Sequence, residues 1–257
     1  MLLRQRAPQR AKHHQPPFSR PQLGCNRIHH HLRESSMIRH MALLAIASLL
    51  PIAAQAQSGS DDTTPQEGRE FTTMASAQPM APVEGKFEVV EVFSYACIHC
   101  ANFQPFVNNW KKNLPEDVNF IYMPMSQGGS WEAFGRAFYA AESMGLLDKT
   151  HDALFKAIHI EKRPFSSISE IAAFYGDYGV EPKVFESTMQ SFAVNAKINR
   201  ARQLAPRWMI QGTPSLVVAG KYRVMATPET GLPGMLKTAE YLVDLEREAA
   251  KQAVAQQ

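Results

Sequence analysis

Cysteine is scarce in this sequence, and its scarcity narrows the chemistry that the chain can perform. The 257 residues include three cysteines, which are Cys25, Cys97 and Cys100. A structural zinc site usually needs four ligands, often supplied by two cysteine pairs, and this sequence holds one close pair. We therefore expect no structural metal site.

Basic residues are also lacking over most of the chain. The whole sequence has a formal net charge of +3, yet residues 1–56 hold eight Lys or Arg and a single acid, Glu34. That segment carries +7, so the difference leaves −4 on the remaining residues. Without its N-terminal region the chain lacks the basic surface that nucleic-acid binding requires, and we expect no nucleic-acid partner.

A hydrophobic run long enough for a comfortable membrane span is missing as well. The apolar run covers residues 41–54, whereas a spanning helix needs about 20 residues. It follows Arg39 and ends in "AQA", the small-residue pattern of a cleavage site. Residues 37–56 are therefore predicted to be a secretory signal peptide, with a buried or membrane helix as the alternative. The mature product, residues 57–257, is expected to be soluble.

Acids and hydrophobic periodicity are nearly absent from residues 1–36, which are rich in Arg, His, Gln and Pro. Such a composition cannot bury a core. We interpret the segment as a disordered leader, or as upstream sequence included by a mistaken start at Met1 rather than Met37. The three consecutive histidines that begin at His29 could bind metal, but the composition favours the leader.

The segment "FSYACIHCANF" contains Cys97 and Cys100, the two cysteines that follow residue 56. In a compartment where disulfides persist, such a pair can be a redox centre, a passive disulfide or half of a metal site. A passive disulfide would stabilise the fold little, because cross-linking a loop of two residues hardly restricts the unfolded chain. Two intervening residues on a first helical turn keep the sulfurs close and leave one side open to another thiol. We therefore predict a redox pair.

Cys97 falls between a predicted strand and a predicted helix. Residues 86–95, "KFEVVEVFSY", are typical of a buried strand, and the apolar residues after Cys100 recur at helical spacing. The first free backbone amides of that helix favour a thiolate at Cys97. His99 can add a donor or a charge, or it can be an ordinary solvated turn residue.

The remaining periodic segments predict the architecture. Residues 118–123 form a further strand, and "SLVVA" and "YRVMA", separated by Gly220 and Lys221, form a hairpin. Between them lies a long segment of helical periods, whose apolar stripes are more typical of a core than of a binding surface. The last segment is typical of an amphipathic helix. This order predicts an α/β fold, a mixed central sheet with an inserted helical domain.

Two residues outside the pair carry hypotheses of their own. Glu91 lies midway along the predicted buried strand, so it is either a proton carrier for Cys100 or an acid that faces solvent. Pro214, in "GTPS", begins a strand, where proline cannot donate to the ladder. It is either an ordinary strand opener or a cis-proline that leaves backbone groups of Thr213 free for a bound peptide.

The segments "EVFSYACIHC", "MGLLDKTHDALFKAIH" and "QGTPSLVVAGKYRV" resemble those of DsbA-type periplasmic thiol:disulfide oxidoreductases. The resemblance runs from about Gly68 through the C-terminal helix. It implies a thioredoxin fold, at about residues 68–125 and 210–257. A helical domain at about residues 126–209 is inserted between its second and third core strands.

The same resemblance implies roles for individual residues. Cys97 is the exposed nucleophile and Cys100 the buried resolving cysteine. Pro214 is a cis-proline opposite the pair, and with Thr213 it contacts the substrate. Glu91 matches the acid beneath the active site.

The sequence departs from the family pattern at two places. Ile98 stands where the family usually has proline, and residues between the cysteines tune the redox potential. Gln104 and Tyr122 stand where the best-known members carry Glu and Lys near the acid that Glu91 matches.

The implied function is a dithiol oxidase that donates its disulfide to folding secreted proteins with free thiols. The resemblance further implies a monomer in the periplasm that needs no cofactor and is reoxidised by a quinone-linked inner-membrane partner. A disulfide isomerase or reductase of the same superfamily is one alternative, although isomerases usually carry a dimerisation domain and residues 57–85 are too short for one. A non-enzymatic secreted binding module with a passive disulfide is the other.

Overall fold

The computed structural model describes residues 64–256. The predicted leader, residues 1–36, and the predicted signal peptide, residues 37–56, lie outside the described residues, as do Cys25 and the histidine cluster. Within residues 64–256, no helix is both long and apolar enough to cross a membrane.

The described residues form the predicted strands and helices in the predicted order, with one further strand at the start and one further helix in the insertion. The strands are β1 (Phe71–Thr73), β2 (Phe87–Phe93), β3 (Val118–Pro124), β4 (Ser215–Val218) and β5 (Tyr222–Val224). The helices are α1 (Ile98–Lys111), α2 (Gly129–Ser143), α3 (Leu147–His159), α4 (Ile168–Gly176), α5 (Pro182–Met189), α6 (Phe192–Arg207) and α7 (Gly231–Ala255).

The strands form one mixed sheet in the order β1-β5-β4-β2-β3. Strands β2 and β3 are parallel, and the other neighbouring pairs are antiparallel. Helices α1 and α7 contribute to the core on one face of the sheet, and α6 contributes to the core on the other. Because both faces are covered, β2 is buried from Glu88 to Phe93, which explains its run of Val and Phe.

Helices α2 to α6 lie between β3 and β4 in the chain, which confirms the predicted mixed sheet with a helical insertion. Their apolar stripes are largely buried around Phe93, Phe138 and Leu154, so these stripes belong to the core as predicted. The short elements β1 and α5 were not predicted. Strand β1 has three residues and α5 has eight, too few for a clear period.

Residues 74–81, the N-terminal strap, join the sheet to α6. The N–H of Gln78 donates to the Gly220 carbonyl over 2.9 Å, and the Trp208 indole N–H donates to the Gln78 carbonyl over 2.9 Å. The Glu88 carboxylate accepts from the N–H groups of Met80 and Ala81. The strap therefore anchors the turn that joins β4 to β5, and this turn follows the segment that faces Cys97.

Candidate active site

Cys97 is the N-cap residue of α1, at the strand-to-helix junction that the sequence predicts. Strand β2 ends at Phe93, and Cys97 has extended backbone dihedrals of −93° and 115°. Its N–H donates to the Ser94 carbonyl over 3.0 Å, which closes the turn between strand and helix. The side chain therefore sits where the first free amides of α1 point.

The loop that carries Thr213 and Pro214 lies against Cys97. The Thr213–Pro214 peptide bond is cis, so the predicted cis-proline is confirmed and the ordinary strand opener is wrong. The Cys97 thiol donates to the Thr213 carbonyl with an Sγ–O distance of 3.3 Å. Thr213 Oγ1 is buried and has no hydrogen-bond partner within the described part of the chain. Its hydroxyl is therefore available to a thiolate at Cys97.

The surroundings of Cys97 stabilise its thiolate. The pKa of Cys97 is lowered to about 5, and the largest cause is a hydrogen bond from the Cys100 thiol. Thr213 and the backbone amides of Cys100 and His99 contribute to this lowering, and partial burial opposes it. The helix N-terminus contributes as predicted, but the partner cysteine contributes more.

Cys100 lies on the first turn of α1 and is fully buried. Burial is the main cause that raises the pKa of its thiol far above the ordinary range, and the neighbouring Cys97 raises it further. The two thiols therefore differ strongly in acidity. At neutral pH Cys97 is a thiolate and Cys100 keeps its proton.

Glu91 lies on β2 beneath α1 and is completely buried, so the alternative that it faces solvent is wrong. Gln104 donates to its carboxylate over 3.3 Å, and Tyr122 donates to the Gln104 carbonyl oxygen over 3.3 Å. Burial raises the pKa of Glu91 to about 8, because the hydrogen bond from Gln104 and the charge of Lys111 offset the loss of water only in part. Thus Gln104 and Tyr122 do lie near this acid, as the family resemblance implied.

The two residues between the cysteines both face solvent. Ile98 is 46% exposed, although it is a large apolar side chain. The side chain of His99 is exposed, and within residues 64–256 it forms no hydrogen bond or ion pair. His99 lowers the pKa of Cys97 through its backbone amide. This contribution is smaller than the side-chain donor or charge that the sequence suggested.

Two histidines of α3 hold the segment before Cys97, and the sequence analysis missed this contact. His151 Nδ1 lies 2.8 Å from the Tyr95 hydroxyl, and His159 Nε2 lies 2.7 Å from the Tyr95 carbonyl oxygen. Burial lowers the pKa of His151 to about 3, so it stays neutral. His151, Phe155 and His159 recur at intervals of four, a one-face pattern that could have indicated the contact.

The histidines thus hold the fold together and do not form a metal centre. Within residues 64–256, no group of three or more His, Cys, Asp or Glu side chains is arranged to hold a metal ion.

The topology and this unequal cysteine pair define a thiol:disulfide oxidoreductase of the thioredoxin fold. Comparison with known proteins specifies the family. Residues 116–241 match the family model of the DSBA-like thioredoxin domain. The chain is 41% identical over 210 residues to the thiol:disulfide interchange protein DsbA of Pseudomonas aeruginosa, a match that covers 82% of this chain and 96% of that protein. The chain belongs to the DsbA family, and its role is that of a dithiol oxidase in disulfide formation.

More distant relatives and solved structures agree with this assignment. DsbA of Burkholderia cepacia is 32% identical over 179 residues, covering 70% of this chain and 84% of that protein. The crystal structure of Pseudomonas aeruginosa DsbA superposes with a TM-score of 0.68 at 39% identity, covering 73% of this chain and 97% of the other. DsbA from Xylella fastidiosa also gives a TM-score of 0.68, at 36% identity, covering 72% and 98%. The thioredoxin fold with a helical insertion is therefore shared across these proteins.

Proposed function

We propose that this chain oxidises pairs of thiols in folding secreted proteins, with Cys97 as the nucleophile and Cys100 as the resolving cysteine. The observation that carries the proposal is the contrast between the two thiols. Cys97 is partly exposed and has a pKa lowered to about 5, whereas Cys100 is buried and its pKa is raised. In a disulfide between such partners only the Cys97 sulfur is accessible to attack, and in the mixed disulfide that follows Cys97 is a good leaving group.

The first step forms a mixed disulfide. A substrate thiolate attacks Cys97 Sγ, the bond between Cys97 and Cys100 breaks, and its electron pair passes to the Cys100 sulfur. Cys100 then needs a proton, because its buried thiolate is unstable. Glu91 interacts electrostatically with Cys100, and its pKa of about 8 leaves it protonated near neutral pH, so it is the proposed donor.

The second step releases the product. A second substrate thiolate attacks the substrate sulfur of the mixed disulfide, and Cys97 leaves as a thiolate. The substrate has lost two electrons and gained a disulfide, and the enzyme holds a thiolate at Cys97 and a thiol at Cys100. Release is favoured because the low pKa of Cys97 makes it a good leaving group.

The remaining roles complete the proposal. Thr213 and Pro214 contact the substrate backbone beside Cys97, and Ile98 tunes the redox potential of the pair. His99 supports the Cys97 thiolate through its amide. The enzyme needs no cofactor and acts as a monomer in the periplasm. A quinone-linked protein of the inner membrane restores the disulfide.

The test is oxidation of a peptide with two cysteines by the oxidised protein, followed as loss of free thiols. Cys97→Ser should abolish turnover. Cys100→Ser cannot form the intramolecular disulfide, but once its Cys97 has been activated with an aromatic disulfide, which supplies the oxidising equivalents, it should accumulate mixed disulfides with the peptide. Normal turnover by Cys97→Ser would refute the assignment. A pair that does not equilibrate with glutathione would favour the passive binding module, and faster refolding of scrambled proteins than oxidation of thiols would favour the isomerase.

A further inference from the structure

A cavity of about 330 Å³ opens beside the cysteine pair, between helices α1 and α3. It begins at Ile98, the residue next to Cys97, and α1 also contributes Ala101 and Pro105 to its wall. On the α3 side its wall includes Phe155 and Ile160. This α1–α3 cavity is a feature that the proposed chemistry leaves unused.

The walls of the cavity are mainly apolar and keep apolar surface in contact with water. Ile98 is 46% exposed and Ile160 is 72% exposed, and both belong to a residue type that is usually buried. Exposed apolar surface that lines a concavity marks a binding site more often than isolated apolar residues do. The cavity therefore offers a favourable place for an apolar group.

Most polar side chains around the cavity already have partners, and Asn102 is the exception within residues 64–256. Asn108 donates to Asp152 over 2.6 Å, and Lys156 pairs with Glu161 over 3.1 Å. His159 Nε2 lies 2.7 Å from the Tyr95 carbonyl oxygen. Because one acid and one lysine lie on the rim, the site has no preference for either charge. Except at Asn102, a polar or charged ligand would have to break existing hydrogen bonds or ion pairs, whereas an apolar group would not.

The position of the cavity indicates where that apolar group comes from. A disulfide holds the two Cα atoms about 5.5–6 Å apart, and each further residue of an extended chain spans about 3.3–3.6 Å. When a substrate cysteine is bonded to Cys97, its near neighbours in sequence are therefore within reach of Ile98 and the mouth of the cavity. The volume is at the low end of the range for small-molecule sites, which suits one side chain.

We infer that the α1–α3 cavity binds a large apolar side chain of the substrate polypeptide, one or two residues from the cysteine that bonds to Cys97. Ile98 and Ile160 are its specificity-determining residues. The inference rests on the proposed function, since it needs a substrate polypeptide attached to Cys97. It predicts that the protein prefers substrate polypeptides in which the reacting cysteine has a large apolar neighbour.

The test measures the rate at which single-cysteine peptides attack the oxidised protein. The peptides are identical except that Leu replaces Ala at one of the two positions on either side of the cysteine, so the thiol pKa is unchanged. At one or more positions Leu should raise the rate about tenfold, the lower end of what apolar side-chain recognition provides. If all peptides react at equal rates, the inference that the cavity binds an apolar side chain is overturned. If no peptide reacts at all, the proposed function is overturned.

Two variants test whether the rate difference between the Leu and Ala peptides arises at the cavity. Ile160→Ser should reduce the Leu-to-Ala rate ratio at the preferred position to about threefold or less. Val184→Ser is the matched control, because Val184 is a branched apolar side chain that is 53% exposed on α5, and its ratio should stay at the wild-type value. An unchanged ratio in Ile160→Ser would overturn the inference.

A direct measurement completes the test. In the mixed disulfide trapped with Cys100→Ser, nuclear Overhauser effects should connect the peptide Leu methyl groups to Ile160 and Phe155. Contacts of the Leu methyl groups elsewhere on the protein would overturn the inference. So would sedimentation that shows a wild-type dimer lost in Ile160→Ser, because the occupant would then be a second copy of the chain.

Discussion

At the scale of single residues, Cys97 and Cys100 show how position alone separates two identical side chains. Both lie at the start of α1, yet one is half-buried beside free amides and the other is fully buried. The buried thiol also donates the hydrogen bond that most strongly stabilises the exposed thiolate. The pKa values of the two thiols are therefore coupled, so a substitution of Cys100 changes the pKa of Cys97.

This coupling predicts different outcomes for two substitutions of Cys100. Cys100→Ala removes the donor, so the pKa of Cys97 should rise well above its value of about 5. Cys100→Ser keeps a hydroxyl donor, so the rise should be smaller. The rate of Cys97 alkylation as a function of pH measures both values. A Cys97 pKa that stays near 5 in both variants would show that the backbone amides and Thr213, and not Cys100, control the thiolate.

Glu91 gives a second prediction at this scale. Its pKa rises from 4.5 to about 8 on folding, so the folded state binds more protons and loses stability as pH rises through that window. Glu91→Gln removes this penalty, and the oxidised variant should become increasingly more stable than the wild type between those pH values. The gain above pH 8 is at most about 5 kcal/mol, at about 1.4 kcal/mol per pKa unit.

Denaturant titrations at several pH values measure this gain, and the oxidised form removes the titration of Cys97 from the comparison. Glu116→Gln is the matched control because Glu116 is exposed, and its effect should be small at every pH. If the gain in stability of Glu91→Gln does not depend on pH, the conclusion that Glu91 is buried with a raised pKa is contradicted.

At the scale of structural elements, the active site depends on segments that are far apart in the chain. Helix α1 supplies both cysteines, the segment before β4 supplies Thr213 and Pro214, and α3 holds Tyr95. The N-terminal strap in turn anchors the turn between β4 and β5. Substitutions in the strap should therefore affect the stability of the sheet, and β4 of this sheet follows the loop that holds Thr213 and Pro214.

Gly220 tests the strap. It has φ +61°, and an added Cβ would lie 2.3 Å from the backbone carbon of Gln78. Gly220→Ala should lower the free energy of unfolding by on the order of 3 kcal/mol, because the backbone of the strap must move. The control Gly179→Ala meets no atom within 4 Å at φ +88°, so only the strained backbone remains, at about 1–2 kcal/mol. Equal losses in chemical denaturation would show that the strap contact does not matter.

At the scale of the whole molecule, the redox state and the stability of the fold are linked. In the reduced protein the pKa of Cys97 falls from 9.0 to about 5 on folding. A lowered folded pKa contributes stability that is full above the unfolded pKa and is lost as pH falls through the folded one. The oxidised protein lacks this contribution, and its disulfide closes a loop too short to restrict the unfolded chain much.

Reduction should therefore make the protein more resistant to denaturant near neutral pH, and the advantage should shrink as the pH falls towards 5. Denaturant titrations of both redox forms across this range measure the difference. The same difference makes the disulfide an oxidant, since about 30 mV of potential corresponds to about 1.4 kcal/mol in this two-electron couple. An oxidised form that is clearly the more stable at neutral pH would return the pair to the role of a passive disulfide.

The sequence by itself determined the features that depend on near neighbours along the chain. The periods of apolar residues predicted β2, β3, the hairpin and most helices, and the spacing of Cys97 and Cys100 predicted a redox pair at a helix start. The apolar run around Glu91 left two alternatives, a buried proton carrier and an acid that faces solvent. The period of apolar residues and the spacing of the cysteines are local properties of the chain. A helix or strand that buries one face needs apolar residues at its own period, so the sequence shows that period directly.

Only the tertiary structure decided which distant groups meet at the pair. Thr213 lies 116 residues from Cys97, and His151 lies 56 residues from Tyr95, so no local pattern records either contact. The depth at which Cys100 and Glu91 are buried, and hence their acidity, depends on how α1 packs on the sheet. Sheet register and helix packing arise from many weak contacts that act together, and these become visible only when the whole core is assembled.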